Sequence, residues 1–139
     1  MLAVIPISGF SYTDDQVVDF GDCYYKVVSG PKLTLSFLGM KPGKTGPLVL
    51  PATVTDKYGY VLTIVGAEYN PQYRSAGITS VTLPHTMEFI DGYAFSGASL
   101  ATMNIPKGLK RIERGAWSSL YGAPKFTVDT DNPVFENDA

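Results

Sequence analysis

The 139-residue chain carries 11 lysines and arginines against 13 aspartates and glutamates, 45% hydrophobic residues and one cysteine. That length suits one domain with a real core, and the formal charge of −2 argues against a global electrostatic grip on nucleic acid. A lone cysteine forms no internal disulfide, and no apolar run approaches the roughly 18 residues that span a bilayer.

Glycine (14) and proline (10) are plentiful. Together with abundant Val, Ile, Thr, Tyr and Phe they favour strands joined by frequent turns. The opening "MLAVIPISGF" is apolar but short, is broken by Pro6 and lacks a basic region. It reads as a first strand, and less well as the remnant of a signal peptide. Next, "CYYKVVSGPKLTLSFLG" reads as two strands joined at Ser29-Gly30-Pro31-Lys32. Tyr25 and Val27 alternate with Tyr24, Lys26 and Val28, and Leu33, Leu35 and Phe37 alternate with Thr34, Ser36 and Leu38. This predicts a β-hairpin with one apolar face. Residues 1–45 are expected to be a strand-and-hairpin cap, with "KPGKTG" as the connection.

From residue 46 onward the chain repeats itself. Aligning Pro84 with Pro106 sets an offset of 22 residues. The same step carries Ile78 to Leu100, Val81 to Met103, Leu83 to Ile105, Met87 to Leu109, Ile90 to Ile112, Ala94 to Ala116 and Phe95 to Trp117. The units are 78–99 and 100–122. A partial unit follows at 123–139, where Ala123, Phe126 and Val128 take the places of Ile78, Val81 and Leu83 after one inserted residue. A degenerate unit precedes at 46–77. There Leu48, Leu50, Pro51 and Val54 fall on Val81, Leu83, Pro84 and Met87. After an insertion, "DKYGYVL", with a hairpin-like turn at Tyr58-Gly59, Val65 falls on Ile90 and Tyr69 on Ala94.

Each unit has a physical reading. Val81 and Leu83 alternate with Ser80 and Thr82, so the segment is a short strand with one buried face. Pro84 ends the ladder. Met87 and Ile90 point back inward, Asp91-Gly92 turns the chain, Ala94 is small where the units crowd, and Phe95 or Trp117 fills the interior. One unit cannot bury its own apolar face, whereas stacked copies with parallel strands can. The expected fold is mainly β, with short helical or irregular turns: a solenoid of short parallel strands capped by the N-terminal hairpin.

The pattern I-x-x-V-x-L-P-x-x-[M/L]-x-x-I-x-x-x-A-[F/W], carried by residues 46–135, resembles the BspA-like leucine-rich repeats of bacterial surface and secreted proteins. "DNPVF", residues 131–135, is similar to the turn that follows a strand in that family. The family's glycine after the isoleucine is Asp91 in one unit and Glu113 in the next, while Gly66 keeps it. The resemblance implies a right-handed leucine-rich-repeat solenoid and an extracellular or cell-surface location. It also implies a non-catalytic adhesion or binding role toward a host or bacterial surface protein or a glycan.

Chemistry is sparse in the sequence. The only histidine, His85, follows a strand-ending proline and reads as a solvated turn residue. Cys23 lies in a predicted strand and reads as a structural thiol. One Cys and one His do not make a zinc site. Asp129, Asp131 and Asn132 offer oxygen ligands but no full calcium loop, and Asx turns account for them. No phosphate-cradling glycine loop is present. Lys107, Lys110, Arg111 and Arg114 form a basic set, offset by Glu113, that suits a sulfated glycan, an acidic patch on a partner or plain solvation.

No cofactor, metal or catalytic residue is expected. The candidate ligand-binding residues are the outward side chains of the repeat strands: Ser80, Thr82, Thr102, Asn104, Lys125 and Thr127, with Val49 at the matching place upstream. Exposed Tyr58, Tyr60, Tyr73 or Tyr121 would add to a binding surface. End-to-end self-association of copies is a further expectation. Alternatives to an adhesion module are a structural spacer and an accessory carbohydrate-binding module of a larger protein.

Overall fold

In a computed structural model, which describes residues 11–73, 75–116, 120 and 124–135, the alternating pattern resolves into short strands. These are β1 (Val17–Phe20), β2 (Cys23–Ser29), β3 (Thr34–Met40), β4 (Gly46–Val49), β5 (Thr53–Thr55), β6 (Val61–Ala67), β7 (Ile78–Thr82), β8 (Phe89–Ile90), β9 (Thr102–Ile105), β10 (Arg111–Ile112) and β11 (Lys125–Val128). They build two sheets. The larger runs β1-β2-β3-β6-β8-β10 with β5 beside β6, and the smaller runs β11-β9-β7-β4. From β7 onward successive strands alternate between the sheets, and every pairing among the repeat strands β4 and β7–β11 is parallel.

The 22-residue step is visible as register. Val81 lies opposite Met103, and Ile90 opposite Ile112. Leu48 faces Val81 and Phe126 faces Met103, as the repeat alignment requires. Three equivalent turns follow the strands of the smaller sheet. The N–H of Met87 donates to the carbonyl of Pro84, that of Leu109 to Pro106, and that of Asn132 to Asp129. Ile78, Val81, Leu83, Met87, Ile90, Ala94, Phe95 and their equivalents Leu100, Met103, Ile105, Leu109 and Ala116 are all buried in one core. Trp117, Tyr121 and Ala123 lie outside the described residues.

The short helical turns do not form: among the described residues there is no helix. Three bonds of the tight i to i+3 kind span residues 91–98, from Ala94 to Asp91, Ser96 to Tyr93 and Ala98 to Phe95. Left-handed backbone at Tyr93 (φ 63°) and Gly97 (φ 88°) interrupts them. A helix needs consecutive right-handed residues, so none propagates.

In the N-terminal segment the strand read at residues 1–10 lies outside the described residues. A further strand, β1, pairs antiparallel with β2. Its half-exposed, half-shielded residues show no fully buried face, the pattern by which a strand is read from sequence. The β2–β3 hairpin forms as expected, but β3 also pairs in parallel with β6. The hairpin thus extends the larger sheet sideways. Nor is its second face open: Ser36 and Leu38 are buried, and the Glu68 carboxylate accepts a hydrogen bond from the Ser36 hydroxyl.

The insertion is an antiparallel β5–β6 hairpin whose turn contains Tyr58 and Gly59, the latter at φ 90°. It shifts the register that follows. Ala67, not Val65, lies opposite Ile90, and Gly66 lies opposite Phe89. The reason for Gly66 is therefore a close approach, not a turn: a Cβ there would lie 2.1 Å from the Phe89 ring. Tyr69 correspondingly leaves the buried place of Ala94 and is 51% exposed.

Candidate functional site

The outward residues of the smaller sheet line up in two rows. Pro47 pairs with Ser80 and Thr102 with Lys125; Val49 pairs with Thr82 and Asn104 with Thr127. The Val81–Met103 pairing joins the two halves, with neighbouring strands about 4.8 Å apart. Thr82, Thr102, Lys125 and Thr127 are exposed, and Ser80 and Asn104 are half-buried. Val49, at 69% exposure, is an apolar end to an otherwise polar row.

Asn104 differs from its neighbours. Its Oδ1 accepts from the Leu83 N–H at 2.7 Å, and its Nδ2 donates to the Leu83 carbonyl at 3.0 Å. The amide fastens one repeat strand to the next where the backbone ladder between β7 and β9 is reduced to a single pair. Asn132 does a related task one unit later. Buried, it donates to the carbonyls of Pro106 (2.7 Å) and Leu109 (3.2 Å) and accepts from the N–H groups of Val134 and Phe135.

The remaining sequence candidates separate cleanly. His85 is exposed in its turn. Cys23 is buried, and burial pushes its thiol up, only partly offset by the hydrogen bond with Tyr25, which keeps it protonated and inert. No group of three or more potential metal ligands occurs among the described residues. Asp129 accepts from the Asp131 N–H at 2.9 Å, an Asx turn. In the basic set, Arg111 is committed to Asp91 (3.3 Å) and Glu113 (3.8 Å) and lies over the Phe89 ring. Lys107, Lys110 and Arg114 are exposed. Among the described residues no helix is long and apolar enough to cross a membrane.

On the larger sheet, Lys26 (β2) reaches Glu68 at 2.6 Å and Asp15 at 3.4 Å. Burial works against the Lys26 charge, yet these carboxylates hold its pKa above the ordinary lysine value. Beside this network lies a cleft of about 150 Å³ lined by Tyr69, Pro71, Tyr73, Ser75, Tyr93, Ala94 and Ser96. Tyr93 is 47% exposed, and its ring meets Tyr69 edge-on at 6.1 Å. Tyr73 is braced by Tyr24 at 4.8 Å. Tyr58 and Tyr60 are half-buried, with their N–H groups donating to Asp56, and neither lines this cleft. Sequence reasoning singled out Tyr73 but not Tyr69 or Tyr93. The signal that marks Tyr93 is its place in the repeat, where the next unit has Gly115.

No protein-family model and no curated protein matches the chain. Solved structures with a related fold include the pneumococcal vaccine antigen PcpA. It aligns at a TM-score of 0.51 and 15% identity over 88% of this chain and 40% of its own. They also include a leucine-rich repeat protein from Bacteroides capillosus, at a TM-score of 0.54 and 17% identity over 81% of this chain and 98% of its own. The fold is leucine-rich-repeat-like. This chain spans well under half the length of the pneumococcal antigen it aligns with.

Proposed function

We propose that the chain is a non-catalytic binding module of a bacterial surface or secreted protein, built as a right-handed solenoid of the BspA-like leucine-rich-repeat kind. It presents the outer face of the four-stranded sheet to a protein or glycan ligand. The observation that carries this reading is the pair of outward rows, Pro47-Ser80-Thr102-Lys125 and Val49-Thr82-Asn104-Thr127, held in register by parallel pairing. Such rows offer side chains at fixed spacing over several strands, as an extended ligand requires. The likeness to a vaccine antigen and to a leucine-rich repeat protein supports the reading at the level of fold. End-to-end association of copies belongs to the same proposal, with β11 and β10 at the ends of the two sheets.

The test is an array of matrix proteins and glycans probed with the chain. A captured ligand should be lost on Thr82→Arg and Thr127→Arg, which project from this face without breaking a fastening. Asn104→Arg is unsuitable as a surface probe because it removes the Leu83 clamp. Ligand capture indifferent to both arginine variants would move the function off this face. Turnover on a hydrolase panel that disappears with His85→Ala would overturn the non-catalytic reading.

A further inference from the structure

The backbone of Tyr93 sits at φ 63°, in the left-handed region, which for a residue with a side chain costs about 1–2 kcal/mol. One repeat step later the same place is Gly115, at φ 86°, the residue that adopts this conformation without penalty. The two positions touch: the Tyr93 N–H donates to the Gly115 carbonyl at 3.1 Å. Burial does not repay the strain, because Tyr93 is 47% exposed and its neighbour Tyr69 is 51% exposed. Strain held without a packing return points to a role for the side chain itself.

We propose that the cleft bounded by Tyr69, Tyr73 and Tyr93 is a subsite for one ring of a neutral saccharide. Its lining includes the buried pair Ser75 and Ala94, the half-buried Tyr73, and the exposed Tyr69 and Tyr93. Its polar side-chain atoms are tyrosine and serine hydroxyls, and no charged side chain lines it among the described residues. Among the described residues an anion finds no cation there and a cation no carboxylate; Glu68, next in sequence to Tyr69, is already committed to Lys26 and Ser36. A sugar presents what such a lining takes: a C–H face for an aromatic ring and hydroxyls for hydrogen bonds. At about 150 Å³ the cleft is smaller than the roughly 300 Å³ at which drug-sized pockets begin, so it holds a single ring of a longer chain. The site is pre-formed. The Asn70 carbonyl accepts from the Tyr73 N–H at 3.0 Å, and Asn70 Oδ1 accepts from the Gln72 N–H at 2.9 Å. It shares the non-catalytic binding reading but not the face of the smaller sheet, and arginine variants of that face leave it intact.

The test is NMR of the full chain with ring-labelled tyrosine, titrated with methyl glycosides and β-linked disaccharides of glucose, galactose and N-acetylglucosamine. Parallel titrations use a sialylated glycan and a proline-rich peptide. The expected result is saturable shifts of the Tyr69, Tyr73 and Tyr93 rings with a neutral sugar. Tyr93→Gly should weaken this binding by at least about tenfold while leaving Tm unchanged or raised, a combination that a merely structural tyrosine does not give. Tyr69→Ala should weaken it likewise, and it keeps the test open should Tyr93→Gly misfold. Shifts with the peptide or the sialylated glycan alone, no saturable shift with any neutral sugar, or undiminished binding in Tyr69→Ala would each overturn the proposal.

Discussion

Asp56 and Asp91 show how the same side chain is used with opposite sign at two turns. Asp56 Oδ1 accepts from the N–H groups of Tyr58 and Tyr60, each at 2.9 Å, and Oδ2 accepts from the Tyr12 hydroxyl. Burial works to raise its pKa, but the bonds from Tyr12, Tyr60, Tyr58 and Gly59 hold it below the ordinary value. A carboxylate stabilised in the folded state contributes above its unfolded pKa of about 3.9, and the contribution is lost as pH falls through the lower folded value. Asp56→Asn keeps an acceptor for the backbone but not one for Tyr12. It should cost about 1–2 kcal/mol at pH 7, and the difference from the parent should shrink in urea melts at pH 3. Asp91 is pushed up instead, by burial first and then by Glu113 and Glu68; Arg111 pulls the other way but is largely exposed and shared with Glu113. A raised folded pKa means that the charge costs stability above it and that protonation relieves the cost as pH falls. Asp91→Asn should therefore stabilise by on the order of 0.5 kcal/mol at pH 7, a gain that vanishes in the same measurement below about pH 4.

At the scale of the element, the strands of the smaller sheet are joined by more than a backbone ladder. The Asn104 amide supplies both a donor and an acceptor to Leu83, standing in for ladder bonds between β7 and β9. Asn104→Ala should lower stability by about 1–3 kcal/mol, because it strips partners from half-buried backbone groups. Thr82→Ala, on the same row, should stay within about 0.5 kcal/mol; thermal melts of the two variants decide it. This contrast was not legible beforehand. In sequence, Thr82, Asn104 and Thr127 are three polar residues at one repeat position, and alternation says only that they face outward. The strand register itself was legible wherever the 22-residue step runs unbroken, as with Val81 opposite Met103. It failed at β6, because the β5–β6 hairpin inserts residues that a repeat count cannot follow, so Val65 was matched to Ile90 where Ala67 lies. The same insertion carries Tyr69 off the place of Ala94 and onto the surface, which hides the tyrosine cleft from a repeat count. Of the two readings of the turns, the irregular one holds and the helical one fails, because sequence shows a glycine at position 97 but not that Tyr93 shares its left-handed backbone.

At the scale of the molecule, the larger sheet makes the N-terminal hairpin and the repeats continuous. β3 pairs with β6, and β6 pairs with β8. A row of aromatic rings crosses the same junction: Phe20 lies 6.3 Å from Tyr25, Tyr25 6.3 Å from Phe37, and Phe37 5.8 Å from Phe95 in a stacked arrangement. Phe37 and Phe95 are fully buried, one on the hairpin and the other in the first full repeat. Each alone, changed to alanine, should cost about 3–5 kcal/mol through lost transfer energy and the cavity left behind. Because the rings touch, the double variant should cost less than the sum, with a coupling of about 0.5–1.5 kcal/mol. Denaturant unfolding should also remain a single transition when followed by near-ultraviolet circular dichroism and by backbone signal. Additive losses together with two separate transitions would mean that the hairpin only rests against the repeats. A coupled loss in one transition would mean that sheet and aromatic row bind both into one cooperative unit, the rigid base on which outward side chains keep their spacing.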